Sequence, residues 1–448
     1  MNTSFKIKYL FLSLAISTCY SANAVTWTID GKTVTDGNWV LNQSISDNVI
    51  TLSGYASGSG FLDLSTLCDD IGTTGVKIGQ DLFYQKKIIT GIALPEELVS
   101  IGRRAFRDSS LGGSISCSSS FKLEGGDAFA QTAITSVYFP NIEGVLQTWT
   151  FYGCKSLESI VLSDKLTSFG GSVMSECNNL VSLTPTVFPL VKEITGAVFK
   201  NSKLLEIDYL SFPLVESIPK ECFHSLTKIK EIHLPSCNSI GKSAFYSYGG
   251  NKITLAPVVT NVDEYAFGAT KITELSDTKF ALNVLNKGVF AKADQLSGVL
   301  DFSKSTFTIL SDSAFEQAKK LERVILPETV TQMNYRAFSY NGRLDVVFLG
   351  PRPTYNTDDL LYPASNNVNH RTSIVTPKGN IASWTNASDV ITFVPMKDVP
   401  ESEKTDSYYY PTSGIGRVIG VVYHETFKTR VSSWLSILNE LGTIVIVK

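Results

Sequence analysis

Histidine is scarce, four in 448 residues, and His224, His233, His370 and His424 stand apart with no HExxH pair among them. CxxC is absent too, as are a G-x-S-x-G elbow and a phosphate-cradling glycine loop. Nothing in the sequence therefore positions a metal, a nucleophile or a nucleotide. Neighbouring acids such as Glu96 with Glu97, or Asp358 with Asp359, read as solvated surface rather than as a facing catalytic pair. The expectation is a protein that is not an enzyme and needs no cofactor. Long apolar runs are missing as well: past residue 24 no stretch approaches the roughly 18 apolar residues of a membrane helix. Net charge is low, 39 Lys plus Arg against 42 Asp plus Glu, which argues against a nucleic-acid partner.

What is present begins with a leader. Lys6 and Lys8 precede an apolar run from Tyr9 to Ile16 and the small-residue stretch Ala22-Asn23-Ala24, the pattern of a secretory signal peptide over 1–24 with cleavage after Ala24. A lipoprotein reading around Cys19 is disfavoured, because Thr18 stands where Gly, Ala or Ser is expected. Cleavage leaves 37 basic and 42 acidic residues, a net charge of −5.

The body of the chain repeats itself. "IGRRAF" at 101–106 returns as "IGKSAF" at 240–245, with "VDEYAF", "LSDSAF" and "MNYRAF" as looser echoes. With the phenylalanine as ruler, the series runs Phe83, Phe106, Phe129, Phe151, then Met174 in its place, Phe199, Phe223, Phe245, Phe267, Phe290, Phe315 and Phe338. The steps are 22 to 25 residues, a solenoid period in the leucine-rich range of about 20 to 29. Other positions repeat in phase: five before the ruler come Ile101, Leu146 and Ile240, eight before it Leu98, Leu166 and Val259, six after it Leu157, Leu180 and Leu321. Stacked coils would turn these into apolar ladders, since one coil cannot bury its face alone. The hexapeptide thus reads as core, and its Ile-Gly as a tightly packed turn rather than half of a dinucleotide fingerprint.

"FYGCKSLESIVL" (151–162) and "AFEQAKKLERVILP" (314–327) resemble the A-F-x-x-C-x-x-L-x-x-I-x-L-P repeat of BspA-type leucine-rich repeat proteins, and "TSIVTPKGNIASW" (372–384) is similar to that family's closing segment. The likeness spans about Val76 to Leu349. Met174 departs from it, and the repeats at Phe129 and Phe267 lack the cysteine and the full strand. The resemblance implies a repeat solenoid with a parallel sheet along one face, export to a bacterial surface, often of oral or gut Bacteroidota, and binding of extracellular proteins or other cells. The domain reading is a leader over 1–24, a β-rich N-terminal cap over 25–75, leucine-rich repeats over 76–349 and a closing segment over 350–395. A linker over 396–413 and a tail over 414–448 follow, the tail a small β unit or sorting signal with a short helix at 432–441. In the cap, Trp27, Ile29 and Trp39 are available to one face, with turns at Asp30-Gly31 and Asp36-Gly37.

Six cysteines follow the leader. Cys154 and Cys177 lie three after the ruler, and Cys117 and Cys237 take apolar ladder places, so they read as small buried hydrophobes; only Cys154 and Cys177 stand near enough to bridge. Binding, if the chain binds, falls to residues that alternate with the buried strand positions: Tyr138, Val161, His233, Ile325 and Phe348, of which all but His233 are more apolar than a solvated face requires. An extracellular protein or cell-surface ligand is the expected partner. A carbohydrate ligand and a structural surface-layer role remain as rivals.

Overall fold

A computed structural model describes residues 26–355 apart from 203, 204, 276, 277, 343 and 352, together with the strands Thr372–Pro377, Ile391–Pro395, Ile419–His424 and Thr443–Val447. The leader, the linker and the expected helix at 432–441 lie outside the described residues. The N-terminal segment forms an antiparallel meander, β1 (Thr28–Asp30), β2 (Thr33–Thr35), β3 (Val40–Ser46) and β4 (Val49–Ser57). β4 then pairs in parallel with Gly75–Ile78, Ile50 opposite Val76 and Leu52 opposite Ile78, and so serves as the first rung of the solenoid. Trp27 and Trp39 are buried, their indole nitrogens donating to the carbonyls of Asp63 and Phe61, each at 2.9 Å. Ile29 corrects the expectation: it is exposed although it pairs with the buried Val34, because β1 is an edge strand paired only with β2.

Each coil contributes two short strands in parallel rows. One row includes Gly75–Ile78, Leu98–Ile101 and Lys122–Leu123; the other includes Gly112–Ser116, Ala133–Tyr138, Ser159–Val161 and Ser182–Thr184. The ladders at five and eight before the ruler and six after it are buried between them. Among the described residues the one α-helix is Leu67–Ile71, as expected of coils too short to house helices. At the far end Thr372–Pro377 pairs with Leu344–Phe348, and Ile419–His424 extends the same row.

The ruler residues form the spine. Phe83 through Phe151, and again Phe199 through Phe338, stack ring on ring with centroids 5.1 to 5.9 Å apart and planes within 18° of parallel. Such offset pairs add to the gain from burial itself. Around the coil where Met174 replaces the ruler ring, Phe169, Phe188 and Phe212 pack on one another, Phe188 and Phe212 stacked at 5.3 Å.

Around each ruler the backbone makes a hook. The residues two before and two after it adopt a left-handed conformation, except ahead of Phe199, where Gly196 does so in place of Ala197: Arg104 and Asp108 around Phe106, Ser243 and Ser247 around Phe245, Trp149 and Gly153 around Phe151. That conformation costs an ordinary L-residue about 1 to 2 kcal/mol. It persists here because it turns three amides toward the next coil: Arg104, Phe106 and Asp108 donate to the carbonyls of Gly126, Ala128 and Ala130 at 2.9 to 3.0 Å. Ser243, Phe245 and Ser247 do the same to Glu264, Ala266 and Gly268.

The six cysteines of the described residues are free and buried. The Cys154 and Cys177 thiols each lie 3.1 Å from the carbonyl oxygen of the ruler in the preceding coil, Phe129 and Phe151, and donate to it. Burial pushes the Cys154 thiol up to about 11. Thiolates being the reactive form, the native protein is expected to take up no Ellman's reagent at these six positions and to react at all six in denaturant; stoichiometric labelling before unfolding would contradict the packing. Cys154→Val removes one of the two donors to the Phe129 carbonyl, which still accepts from Thr132 Oγ1 at 2.8 Å, so it is expected to differ from Cys154→Ser, which keeps a donor there, by no more than the net worth of one hydrogen bond, about 0.5 to 1.5 kcal/mol; paired urea melts read the difference.

Candidate functional site

The outward positions of the second strand row carry the candidate surface. Tyr138 is 45% exposed and pairs directly with Val161, which is half-buried; Ser116 and Thr184 complete that rung of the four-stranded sheet. His233 is half-buried in a separate three-stranded sheet, between Ser211 and Thr254, and lies 5.7 Å from the Tyr209 ring. Ile325 is half-buried between Asp301 and Val347 in a third sheet. The structure thus brings Tyr138 and Val161 together and places His233 and Ile325 on separately hydrogen-bonded stretches.

Phe348 is a correction. Expected outward, it is 2% exposed and part of the core. Strand register is the reason: Val324 pairs with Val346, Ile325 with Val347 and Leu326 with Phe348, so Phe348 occupies an inward rung. Counting from the ruler fails because the preceding coil has an extra residue at Glu322, where the pairing of Gly298 with Leu321 jumps to Val299 with Arg323. A one-residue slip moves a side chain to the opposite face.

Other surface features escaped the sequence reading. Leu190 and Leu214 are 47% and 42% exposed, at the same place in adjacent coils, within the duplicated tetrapeptide Phe-Pro-Leu-Val at 188–191 and 212–215. Leu214 borders an open groove of about 650 Å³ whose walls include Lys192, Glu193 and Glu216. The duplication itself was a signal that could have marked them. On the hook side, Trp149 is 43% exposed beside Tyr152, their ring centroids 6.0 Å apart. Ion pairs run between coils along this side: Arg104 grips Asp81 through two hydrogen bonds of 2.7 and 2.9 Å, and Arg107 meets Asp127 at 2.8 Å. Burial raises the Asp127 carboxyl, against the pull of Arg107. Partly exposed pairs of this kind are worth about 0 to 1 kcal/mol each, so they guide register more than they hold the fold. Among the described residues no group of three or more His, Cys, Asp or Glu converges as a metal site would require, and no helix is long and apolar enough to cross a membrane.

With coil length, hook and strand rows established, the sequence profile described as "BspA type Leucine rich repeat region" matches six copies, over residues 76–206 and 214–345. The chain belongs to the BspA-type leucine-rich repeat family. Solved structures similar to this BspA-type chain include a leucine-rich repeat protein from Bacteroides ovatus ATCC 8483, at 16% identity over 73% of this chain and 94% of that one, with a TM-score of 0.42. A leucine-rich cell surface protein from Faecalibacterium prausnitzii A2-165 matches at 17% identity over 70% and 91%, TM-score 0.31. The pneumococcal vaccine antigen PcpA matches at 13% identity over 81% and 96%, TM-score 0.34. A search of curated proteins returns no match.

Proposed function

We propose that this BspA-type chain is exported, is held at or released from the cell surface, and uses the outward strand face to bind an extracellular protein in adhesion or host contact. The observation that carries the reading is the rung Tyr138–Val161, an exposed aromatic against a β-branched neighbour on a scaffold fixed by two ladders of backbone bonds. Aromatic side chains held rigidly at a surface are the usual anchors of protein interfaces. His233 and Ile325 extend the candidate surface, flanked by Glu231, Lys252 and Arg323, whose mixed charges suit a polar interface rim. Export is supported by the leader pattern at 1–24.

The test uses the chain from residue 25 to its end, immobilised and exposed to extracellular-matrix and plasma proteins. Tyr138→Ser combined with Ile325→Ser is expected to leave the melting temperature within a few degrees and to weaken capture of a purified partner at least tenfold, as loss of a hot spot does. Unchanged affinity for every partner captured, with the fold intact, contradicts the reading.

A further inference from the structure

Trp149 sits where the fold makes a large residue costly. It is left-handed at φ 58°, two before the ruler Phe151, and 43% exposed, so its ring adds little to the core. The same rung elsewhere holds Asp81, Arg104, Asp127, Ser172, Glu221 and Ser243, all small or charged side chains, half-buried except for the buried Asp127. Tyr265, the other aromatic at this rung, lies against Gly288 of the next coil, whose missing Cβ makes its seat; for Trp149 no glycine leaves such room. A bulky residue at positive φ is a backbone outlier, and outliers of this kind concentrate at binding sites.

The surroundings of Trp149 have the makings of one. Its ring is flanked by the Arg107 guanidinium, 5.9 Å away and held in turn by Asp127, and by Tyr152 at 6.0 Å and 38°. Tyr152 is also a wall of an open groove of about 640 Å³, together with Gln131, Thr132, Lys155, Ser156 and Glu176. Asn201 donates to Glu176 at 2.7 Å and fixes that carboxylate. One cation and one anion balance across the groove, so it selects neither charge. An amide, hydroxyls, an ammonium and a carboxylate supply donors and acceptors together, next to the ring of Tyr152, which Trp149 adjoins.

We propose that this groove binds a neutral saccharide, one pyranose ring laid on the Trp149–Tyr152 rim and its hydroxyls bonded to Gln131, Lys155 and Glu176. A sugar matches this lining because it has an apolar C–H face and a rim of hydroxyls that both donate and accept. This site is separate from the protein-binding face and does not depend on it.

The full chain from residue 25 is titrated with maltohexaose, cellohexaose, chitohexaose in its N-acetylated form and, as an anionic control, a hyaluronan hexasaccharide, by calorimetry and tryptophan emission. At least one neutral hexasaccharide is expected to bind and to change the indole emission, with affinity insensitive to salt. Trp149→Asn, which suits the left-handed backbone, is expected to keep or raise the melting temperature while weakening binding at least tenfold. Tyr152→Ser serves as a second variant should the first alter folding, and Glu176→Gln is expected to weaken binding severalfold. Tyr138→Ser with Ile325→Ser should leave saccharide binding untouched. The proposal is overturned if no neutral hexasaccharide binds, if Trp149→Asn and Tyr152→Ser bind as tightly as the parent, if only hyaluronan binds and salt abolishes it, or if the strand-face variant loses the sugar too.

Discussion

Phe245→Ala is expected to destabilise the protein by about 3 to 5 kcal/mol, the range for truncating a large buried aromatic. Phe245 is fully buried, stacked 5.4 Å from Phe223 and 5.6 Å from Phe267, with Tyr248 edge-on at 6.2 Å. Its neighbours cannot collapse into the space, because each is pinned to the next coil by a backbone bond at its own amide, Phe223 to Ala244 and Phe267 to Val289. Solenoid stability is close to a sum of coil and interface contributions. Losing one ring therefore weakens the interfaces on both sides, and urea unfolding followed by circular dichroism should show a lower midpoint and a broadened or split transition. A loss below about 1 kcal/mol would mean the ring is not packed between filled coils.

The second large effect concerns a backbone contact. Gly170→Ala is expected to cost about 1 to 3 kcal/mol or more, the range of overpacking. A Cβ at Gly170 would stand 2.3 Å from the Thr148 nitrogen and 2.7 Å from the Gln147 carbonyl carbon, both backbone atoms that cannot turn aside. Gly102 and Gly241, the glycines of the two near-identical hexapeptides, meet the preceding coil in the same way, at Gln80 and Lys220. Gly153→Ala is the control. Gly153 has φ 67°, but its Cβ would meet only the flexible Gln131 side chain at 3.3 Å, and the equivalent rungs carry Gln131 and Glu176 in the left-handed state. Its cost is expected to stay near 1 kcal/mol. Thermal melts of the two variants side by side check the contrast; equal losses would remove close coil approach as the reason for the Ile-Gly pair.

Much of this fold was legible in the sequence because a solenoid writes its core as a period. Ile101, Leu166, Val259 and Leu321, picked by phase alone, are all buried, and the register of the coils at Phe129 and Phe267, though they lack the family's cysteine, follows from their rings stacking in line. Phase fails where coil length changes locally. One extra residue at Glu322 turned Phe348 inward, and around Met174 the aromatic packing passes to Phe188 and Phe212, which take the leucine place before the strand-end proline. The hooks were invisible for another reason: Arg104, Ser243 and Trp149 are not residues that favour a left-handed backbone, and only bonding between coils holds them there. The candidate sites were less legible still. Tyr138 could be placed outward by alternation, whereas the meeting of Trp149, Tyr152 and Glu176 joins neighbouring coils and has no signature within any one of them.

The central claim is that the hooks bond coil to coil along the chain, and amide hydrogen exchange of the intact protein tests it most directly. Arg104, Asp108, Ser243 and Ser247 carry side chains at the surface, in turns whose amides ordinarily exchange within seconds to minutes. Each of these amides is here a donor to the next coil, at 2.9 to 3.0 Å. They are predicted to exchange as slowly as Phe106, Phe245 and the buried strand amides, at the rate of global or multi-coil opening. Fast exchange at these four positions, with slow exchange confined to the strands, would contradict the account.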